Sequence, residues 1–346
     1  MRWSNLLREP AEAGPPQLPL GLPADVVRRV DTPGFAGMTF YEIQAKSIIN
    51  RVPGASHVPF DWTINPYRGC SHACVYCFAR NTHTYLDLDP GADFDRQVVV
   101  KVNAPELLRR ELAAPSWRGA AIAMGTNVDC YQRAEGRYQL MRGVIGALRD
   151  FANPFSILTK GTLILRDLDL LRQAATVTTV GLAVSVGSVD EQLWRTVEPG
   201  TPSPRRRLEV VRRLTDAGFR VGVLMAPILP GLTDDPAQLE ETVAAIAAAG
   251  AASLTPLPLH LRPGAREWYG QWLAREHPQL VQHYRDLYGK GSYAPQAYQR
   301  EVTARVRQAA RRHGIGRDDD PPAATAEHRR VDQPAPPPLV QQPTLW

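Results

Sequence analysis

Residues 65–78 read NPYRGCSHACVYCF and hold three of the four cysteines of the chain, Cys70, Cys74 and Cys77. Thiolates this close in sequence repel one another unless a metal neutralises them, and iron–sulfur clusters are held by cysteine thiolates. Three thiolates bind three irons of a cubane cluster and leave the fourth iron open. Because an electron-transfer cluster normally has four protein ligands, this pattern predicts a cluster that binds a substrate or cofactor.

A structural zinc site and a disulfide framework are the two alternatives to a cluster. A structural zinc ion usually has four ligands, and His72, His57 or His83 could supply the fourth. A disulfide framework fits poorly, because three clustered cysteines and a distant Cys130 do not form the spaced set of a secreted domain. We therefore expect an iron–sulfur cluster, with zinc as the alternative.

The cysteine spacing, Cys-x3-Cys-x2-Cys with Tyr76 before the last cysteine, resembles the signature of the radical S-adenosylmethionine (radical SAM) enzymes. Further strings resemble the spore photoproduct lyase-like branch of that family. They are residues 65–80, GTNVDCYQ at 125–132, LTK at 158–160, LWRTVEPG at 193–200 and LHLRPG at 259–264. The resemblance runs from about residue 60 to about residue 298.

This resemblance implies the cofactors and the chemistry. The cofactors would be a [4Fe–4S] cluster and S-adenosylmethionine, whose amino and carboxylate groups chelate the open iron. The reduced cluster would cleave the sulfonium and give a 5′-deoxyadenosyl radical, which abstracts hydrogen from a substrate. The implied partners are an electron donor such as flavodoxin or ferredoxin and a nucleic acid substrate, with a lyase-type reaction on a DNA photoproduct-like lesion. A family resemblance implies a mechanism more firmly than a substrate.

The composition is that of a globular protein without a membrane segment. The chain has 346 residues, is 44% hydrophobic and carries a formal net charge of +5. Ser253, Pro256 and Pro258 interrupt the apolar run at residues 243–261, which is too weak for a membrane span. No signal-peptide pattern follows Met1, and clustered free cysteines need a reducing compartment, so we expect a cytoplasmic protein. The basic balance is compatible with an anionic partner but does not require one.

The sequence predicts four parts along the chain. Residues 1–35 are rich in Pro and Gly and are expected to be a loosely ordered arm. Residues 36–262 are expected to form the core domain, and residues 263–316 a helical extension. Residues 317–346 are acidic and then Pro-rich, so they bury too little apolar surface to fold and are expected to be a disordered tail.

Strand and helix patterns alternate through the core. Six apolar or β-branched runs predict strands, at residues 62–64, 120–124, 154–158, 176–186, 219–229 and 251–259. Helical spacing follows at residues 138–151, 163–173, 204–217 and 234–249. This alternation predicts a parallel α/β sheet with right-handed crossovers. Six units are too few for an eight-unit barrel, and the family resemblance implies an incomplete (β/α)6 TIM-type barrel, open on one side.

The candidate cofactor site lies where these strands end, because active sites of parallel α/β folds lie beyond the carboxyl ends of the strands. Beside the cysteines, the candidate cofactor-binding residues are Tyr76, Phe78, Gly125, Thr126, Asn127, Lys160, Ser185 and Ser188.

Each of these candidates has an expected role under the family resemblance. The two aromatic residues would flank the adenine. Residues 125–127 would meet the amino group of S-adenosylmethionine, with glycine allowing close approach of the backbone. Lys160 would pair with the carboxylate as a compact charge, and the two serines would bind the ribose. The alternatives are aromatic packing under the loop, a solvated lysine and strand-end caps, and Asp190 is expected to cap the next helix.

Cys130 is the candidate catalytic residue. It follows Asp129 just beyond the second predicted strand. A thiol there could donate a hydrogen atom to a product radical, which resembles the role of a cysteine in spore photoproduct lyases. The alternative is structural, since a free cysteine is often a small buried hydrophobe.

A second function rests on features that could serve a nucleic acid partner. Arg205, Arg206 and Arg207 start a helix, where they either contact phosphates or are solvated. Aromatic residues crowd the segment after the sixth strand, where they either pack or stack bases. These features suggest a non-catalytic zinc or iron–sulfur module that binds nucleic acid, but that function leaves the strand-end residues without a role.

Overall fold

The computed structural model describes residues 26–53 and 58–316. The predicted disordered tail at 317–346, most of the predicted arm at 1–35, and His57 therefore lie outside the described residues. Strands and helices are numbered below in chain order.

A seven-stranded sheet forms the centre of the molecule. In spatial order its strands are β11 (Ser253–Pro258), β10 (Val221–Ile228), β9 (Val180–Ser185), β8 (Phe155–Thr159), β7 (Ile122–Met124), β4 (Trp62–Ile64) and β3 (Ile49–Arg51). The first six run parallel, and β3 pairs antiparallel with β4. Because β11 and β3 stand at opposite edges, this sheet is open, and the predicted incomplete six-stranded barrel is confirmed.

Helices connect the parallel strands and cover the sheet. They are α1 (Ala92–Arg96), α2 (Ala104–Leu112), α3 (Glu135–Tyr138), α4 (Leu140–Asp150), α5 (Leu168–Ala175), α6 (Glu191–Val197), α7 (Pro204–Asp216), α8 (Pro236–Ala248), α9 (Ala265–Glu276), α10 (Val281–Tyr288) and α11 (Gln296–Arg312). Within residues 26–53 and 58–316, 3-10 segments cover Phe78–Leu86, Thr162–Asp167 and Pro278–Leu280. The helix predicted over residues 163–173 is therefore divided between a 3-10 segment and α5. Asp190 caps α6, as predicted, by accepting the amides of Gln192 and Leu193.

A second, four-stranded sheet was not predicted. Its order is β1 (Val27–Val30), β2 (Thr39–Ile43), β6 (Gln97–Lys101) and β5 (Tyr67–Arg68). Its strands are two to five residues long, and β1 falls inside the predicted loose arm, so periodicity gave little signal. The sheet matters for function because β5 leads directly into the cysteine loop.

The segment after β11 is helical, and most of its aromatic side chains pack against one another. Tyr269, Tyr284 and Tyr288 are buried in one cluster, where the Tyr269 hydroxyl donates to the Tyr284 hydroxyl at 2.8 Å. Their burial favours packing over base stacking, whereas Tyr293 is exposed. Within the described ranges, no helix combines the length and the apolar character needed to cross a membrane.

The core assignment can be tested at Ile246, which lies on α8 and is fully buried in the main core. Ile246→Ala should lower the free energy of unfolding by about 2–5 kcal/mol, because it removes buried apolar groups and leaves a cavity. Val177→Ala, at an exposed position between α5 and β9, should change it by less than about 0.5 kcal/mol. Denaturant unfolding followed by circular dichroism measures both, and equal small effects would contradict the assigned core.

Candidate active site

The three clustered cysteines lie on a loop between β5 and the 3-10 segment Phe78–Leu86. Cys70 and Cys74 are buried and line a cleft at the carboxyl ends of the parallel strands, while Cys77 is partly exposed. The Ala73 amide donates to the Cys70 carbonyl and the Cys77 amide to the Cys74 carbonyl, each at 3.2 Å. These two turns present the cysteines from one compact loop.

Arg80 fixes the outer side of this loop. Its guanidinium is fully buried and donates twice to the Cys74 carbonyl, at 2.9 and 3.2 Å. It also donates to the Gly91 carbonyl and to the Asp95 carboxylate, each at 2.8 Å. Sequence reasoning missed this residue, although it ends the string at residues 65–80 that carries the family resemblance.

The environment of the three thiols fits an iron–sulfur cluster. Burial raises the pKa of all three, to about 12 for Cys74. They are therefore protonated at neutral pH unless a cationic centre stabilises their thiolates. Among the described residues, no group of three or more His, Cys, Asp or Glu side chains converges as the ligands of a single ion would. Three thiols on one compact loop are the kind of donor set that holds an iron–sulfur cluster.

His72 and His83, the two described histidines considered as zinc ligands, have contacts with other protein groups. Nδ1 of His72 lies 3.4 Å from a carboxylate oxygen of Asp129. Nε2 of His83 lies 2.8 Å from the carbonyl oxygen of Gln97, in the second sheet. Both rings are therefore held by protein groups in this structure.

Asp129 joins the cysteine loop to the end of β8, a role that the sequence did not indicate. Its carboxylate accepts the Lys160 amide at 2.6 Å and the Thr159 hydroxyl at 2.7 Å. Burial would raise the pKa of this carboxyl, but the His72 imidazole and these hydrogen bonds hold it at about 2. The group is therefore a fixed negative charge beside the cleft.

Most of the predicted cofactor-binding residues line the same cleft as Cys70 and Cys74. They are Tyr76, Phe78, Gly125, Thr126, Asn127, Lys160 and Ser185. Parallel pairing explains this convergence, because it brings the carboxyl ends of neighbouring strands to one edge. Ser188 lies apart: it lines a smaller neighbouring cavity, and its hydroxyl accepts the Asp190 amide at 3.1 Å.

Lys160 is held at the cleft wall rather than solvated. Its ammonium donates to the Ser185 hydroxyl at 2.9 Å, and that hydroxyl donates to the Ala226 carbonyl at 3.1 Å. The ammonium also lies 3.9 Å from a carboxylate oxygen of Glu198 and 5.8 Å from the centre of the Tyr76 ring. A largely buried ammonium in this position is suited to an anionic group of a ligand.

Gly125 is required by the packing of two strands, in addition to the backbone approach to the cofactor that stays a prediction. Its φ is +76°, and a Cβ at this position would stand 1.8 Å from the Leu158 carbonyl oxygen. The missing side chain therefore allows the ends of β7 and β8 to approach each other. Thr126 and Asn127, which follow, are partly exposed at the cleft.

A group of aromatic and cationic side chains forms the mouth of the cleft. Phe78 and His260 line it with ring centres 5.8 Å apart, and His260 stacks on Tyr293 at 5.7 Å. The Arg262 guanidinium lies 5.6 Å from the centre of the Phe78 ring and donates to the Tyr293 hydroxyl at 3.3 Å. Burial and the Arg262 charge lower the pKa of His260, so its ring is neutral near pH 7. His260 and Arg262 lie in the string LHLRPG at residues 259–264, which carries part of the family resemblance but was given no predicted role.

The structure does not bring Cys130 to the cleft. Its side chain is fully buried, belongs to the main core and is not among the residues that line the cleft. A hydrogen donor must reach its substrate, so this position favours the structural alternative. Tyr131 beside it is also buried, and its hydroxyl donates to Asp167 at 3.0 Å.

The Radical SAM superfamily model matches residues 64–243, more than half of the chain. This chain belongs to the Radical SAM superfamily. The uncharacterized protein Rv2578c of Mycobacterium tuberculosis is 51% identical over 296 residues, which are 86% of this chain and 87% of that protein. The uncharacterized protein MJ0683 of Methanocaldococcus jannaschii is 32% identical over 195 residues, 56% of this chain and 69% of that protein.

Solved structures of spore photoproduct lyase have the same fold. One, complexed with dinucleoside spore photoproduct, has a TM-score of 0.62 at 16% identity and covers 80% of each chain. The predicted likeness of fold is thereby confirmed. Radical SAM proteins use a [4Fe–4S] cluster and S-adenosylmethionine, so the two predicted cofactors are confirmed by family membership. The assignment of individual residues to those cofactors stays a prediction.

The predicted carboxylate partner can be tested at Lys160. Lys160→Ala should weaken S-adenosylmethionine binding by about 1.5–3 kcal/mol, the range for a hydrogen bond to a charged group. Lys290→Ala, at an exposed position outside the cleft, is the matched control and should bind as the wild type does. Calorimetric titration of the cluster-loaded proteins measures both. Unchanged affinity in Lys160→Ala would remove the carboxylate role from this residue.

Proposed function

We propose that this radical SAM enzyme holds its cluster on Cys70, Cys74 and Cys77 and binds S-adenosylmethionine in the adjoining cleft. The supporting observation is that two of these thiols and Lys160 line one cleft at the strand ends. When bound and reduced, the cluster supplies the electron that cleaves S-adenosylmethionine to methionine and a 5′-deoxyadenosyl radical. A small electron-transfer protein of the flavodoxin or ferredoxin type is the proposed donor.

The residues of the cleft divide the binding of S-adenosylmethionine among them. Tyr76 and Phe78 flank the adenine, and Ser185 binds the ribose from the end of β9. Residues 125–127 accept hydrogens from the amino group, and the Lys160 ammonium holds the carboxylate. Ser188 would join this set only by reaching out of its neighbouring cavity, so it is the weakest member.

For the substrate we propose a nucleic acid carrying a damaged base. The aromatic rings at the mouth offer stacking surfaces to a base, and Arg262 offers a cation to a phosphate. The net charge of +5 agrees with an anionic partner. A non-catalytic module would share this surface but would not need a cation and polar groups beside the cysteines. Because Cys130 is buried, its donor role is not part of this proposal.

The cluster assignment predicts a specific pattern of iron content. Anaerobically reconstituted wild-type protein should hold about four irons and four sulfides per chain. Replacing Cys70, Cys74 and Cys77 together by Ala should abolish the cluster absorbance, while Cys130→Ala should keep it. With S-adenosylmethionine and dithionite, the wild type should release 5′-deoxyadenosine and the triple variant should release none. Stoichiometric zinc without iron in anaerobically purified protein would refute the assignment.

The substrate proposal can be tested at the cleft mouth. Tyr293→Ala should weaken binding of an ultraviolet-irradiated oligothymidine by about 1–3 kcal/mol, the value for loss of one stacked base, because this exposed ring stands at the mouth and has no part in cofactor binding. Arg262→Ala should weaken it too and should reduce its dependence on salt. Arg275→Ala, an exposed arginine on α9 that pairs with Glu276, is the control. Fluorescence anisotropy at fixed salt measures all three, and wild-type affinity in both mouth variants would count against a nucleic acid at this surface.

A further inference from the structure

The turn at residues 197–200, part of the string LWRTVEPG, has no role in the function proposed so far. It follows α6 and lies against the cysteine loop through two backbone hydrogen bonds. The Val75 amide donates to the Val197 carbonyl at 3.0 Å, and the Gly200 amide donates to the His72 carbonyl at 3.1 Å. These two hydrogen bonds hold the loop at positions before and after Cys74.

Gly200 is packed against the loop backbone with no room for a side chain. A Cβ there would stand 2.1 Å from the Ser71 carbonyl oxygen and 3.0 Å from the His72 Cα. Atoms this close cannot coexist, so any side chain would push the turn and the loop apart. The neighbouring atoms are backbone, which cannot rotate away as a flexible side chain could.

The turn is itself held in shape. The Thr201 hydroxyl donates to the Glu198 carbonyl at 2.9 Å and accepts the Trp194 indole N–H at 2.8 Å. A turn fixed in this way is a rigid support for the loop.

Glu198 joins the turn to both the loop and the cleft wall. Its carboxylate is buried and accepts the Tyr76 hydroxyl and, at 2.5 Å, the Arg207 guanidinium. The Lys160 ammonium lies 3.9 Å away. Arg207 also donates to the Ser185 carbonyl at 3.0 Å. Arg207 is thus a buried structural cation, and not one of the solvated or phosphate-binding arginines expected at the start of α7.

We propose that residues 197–200 brace the cysteine loop in the shape that holds the cluster, and that Glu198 places a fixed negative charge beside it. Gly200 and Glu198 are positioning residues. Tyr76 lies between Cys74 and Cys77, so a carboxylate bonded to its hydroxyl is close to the cluster ligands. A nearby negative charge disfavours addition of an electron, so removing the charge should make the bound cluster easier to reduce. This inference rests on the proposed assignment of the three cysteines as cluster ligands.

The first test compares two glycine-to-alanine variants of the full chain. Gly200→Ala should lose most of its iron after reconstitution and desalting, whereas Gly270→Ala should match the wild type. Gly270 is a fair control because a Cβ there meets nothing within 4 Å. Circular dichroism and thermal melting of the cluster-free proteins check that both fold. If Gly200→Ala folds and retains wild-type iron, the brace is refuted.

The second test replaces the Glu198 carboxylate by an amide of nearly the same size, so it removes the charge but keeps the side-chain shape. It applies even if Gly200→Ala does not fold. Glu198→Gln keeps an oxygen that can accept the Tyr76 hydroxyl, so it should retain the cluster but shift its midpoint potential to a less negative value. Glu135→Gln is the matched control. Glu135 is also buried between a tyrosine, Tyr67, and an arginine, Arg166, but it lies outside the cleft.

Potentiometric titration followed by electron paramagnetic resonance measures the potentials. No shift in Glu198→Gln, or an equal shift in Glu135→Gln, would overturn the charge role. If the wild type takes up no cluster, the assignment of the three cysteines as cluster ligands fails. If the wild type and both variants take up the cluster and have the same midpoint potential, only the charge role of Glu198 fails.

Discussion

Burying three thiolates beside one another is unfavourable unless positive charge lies close to them. In this chain, burial raises the pKa of Cys70, Cys74 and Cys77. Arg80 is bonded to backbone carbonyls and Asp95, and Arg207 to Glu198, while the Lys160 charge lowers the pKa of Cys74 and Cys77 without offsetting the effect of burial. The loop is therefore held in place by the protein, and a cationic metal centre would supply the remaining charge balance.

The rest of the fold serves to keep this loop in position. The last strand of the second sheet, β5, leads into the cysteine loop. Arg80 donates hydrogen bonds to the Cys74 carbonyl, and residues 197–200 bond to the loop backbone at His72 and Val75. The parallel strands then bring Lys160 and residues 125–127 to the same edge. Because these elements come from distant parts of the sequence, the site exists only when the whole core has formed.

The sequence predicted the features that depend on short patterns and missed those that depend on tertiary contacts. The cysteine spacing indicated the cofactors, and apolar runs located all six parallel strands to within a few residues. Arg80 and Glu198 were given no role, and Arg207 was expected to be solvated or to bind phosphate, because a charged residue in isolation gives no sign that it will be buried and paired. Gly125 was noted, but the Leu158 carbonyl that leaves no room for a side chain there belongs to the packing of two strands. The burial of Cys130 could not be predicted for the same reason, since a single cysteine is compatible with both the edge of a cleft and the hydrophobic core.

In the proposed site, three cysteines leave one iron of the cluster free for S-adenosylmethionine. Mössbauer spectroscopy of protein reconstituted with iron-57, recorded before and after S-adenosylmethionine is added, tests it directly. One iron site of the cluster should change its isomer shift on addition while the other three do not, and Lys160→Ala should need more S-adenosylmethionine to produce the change. Four irons that do not respond to S-adenosylmethionine would contradict it.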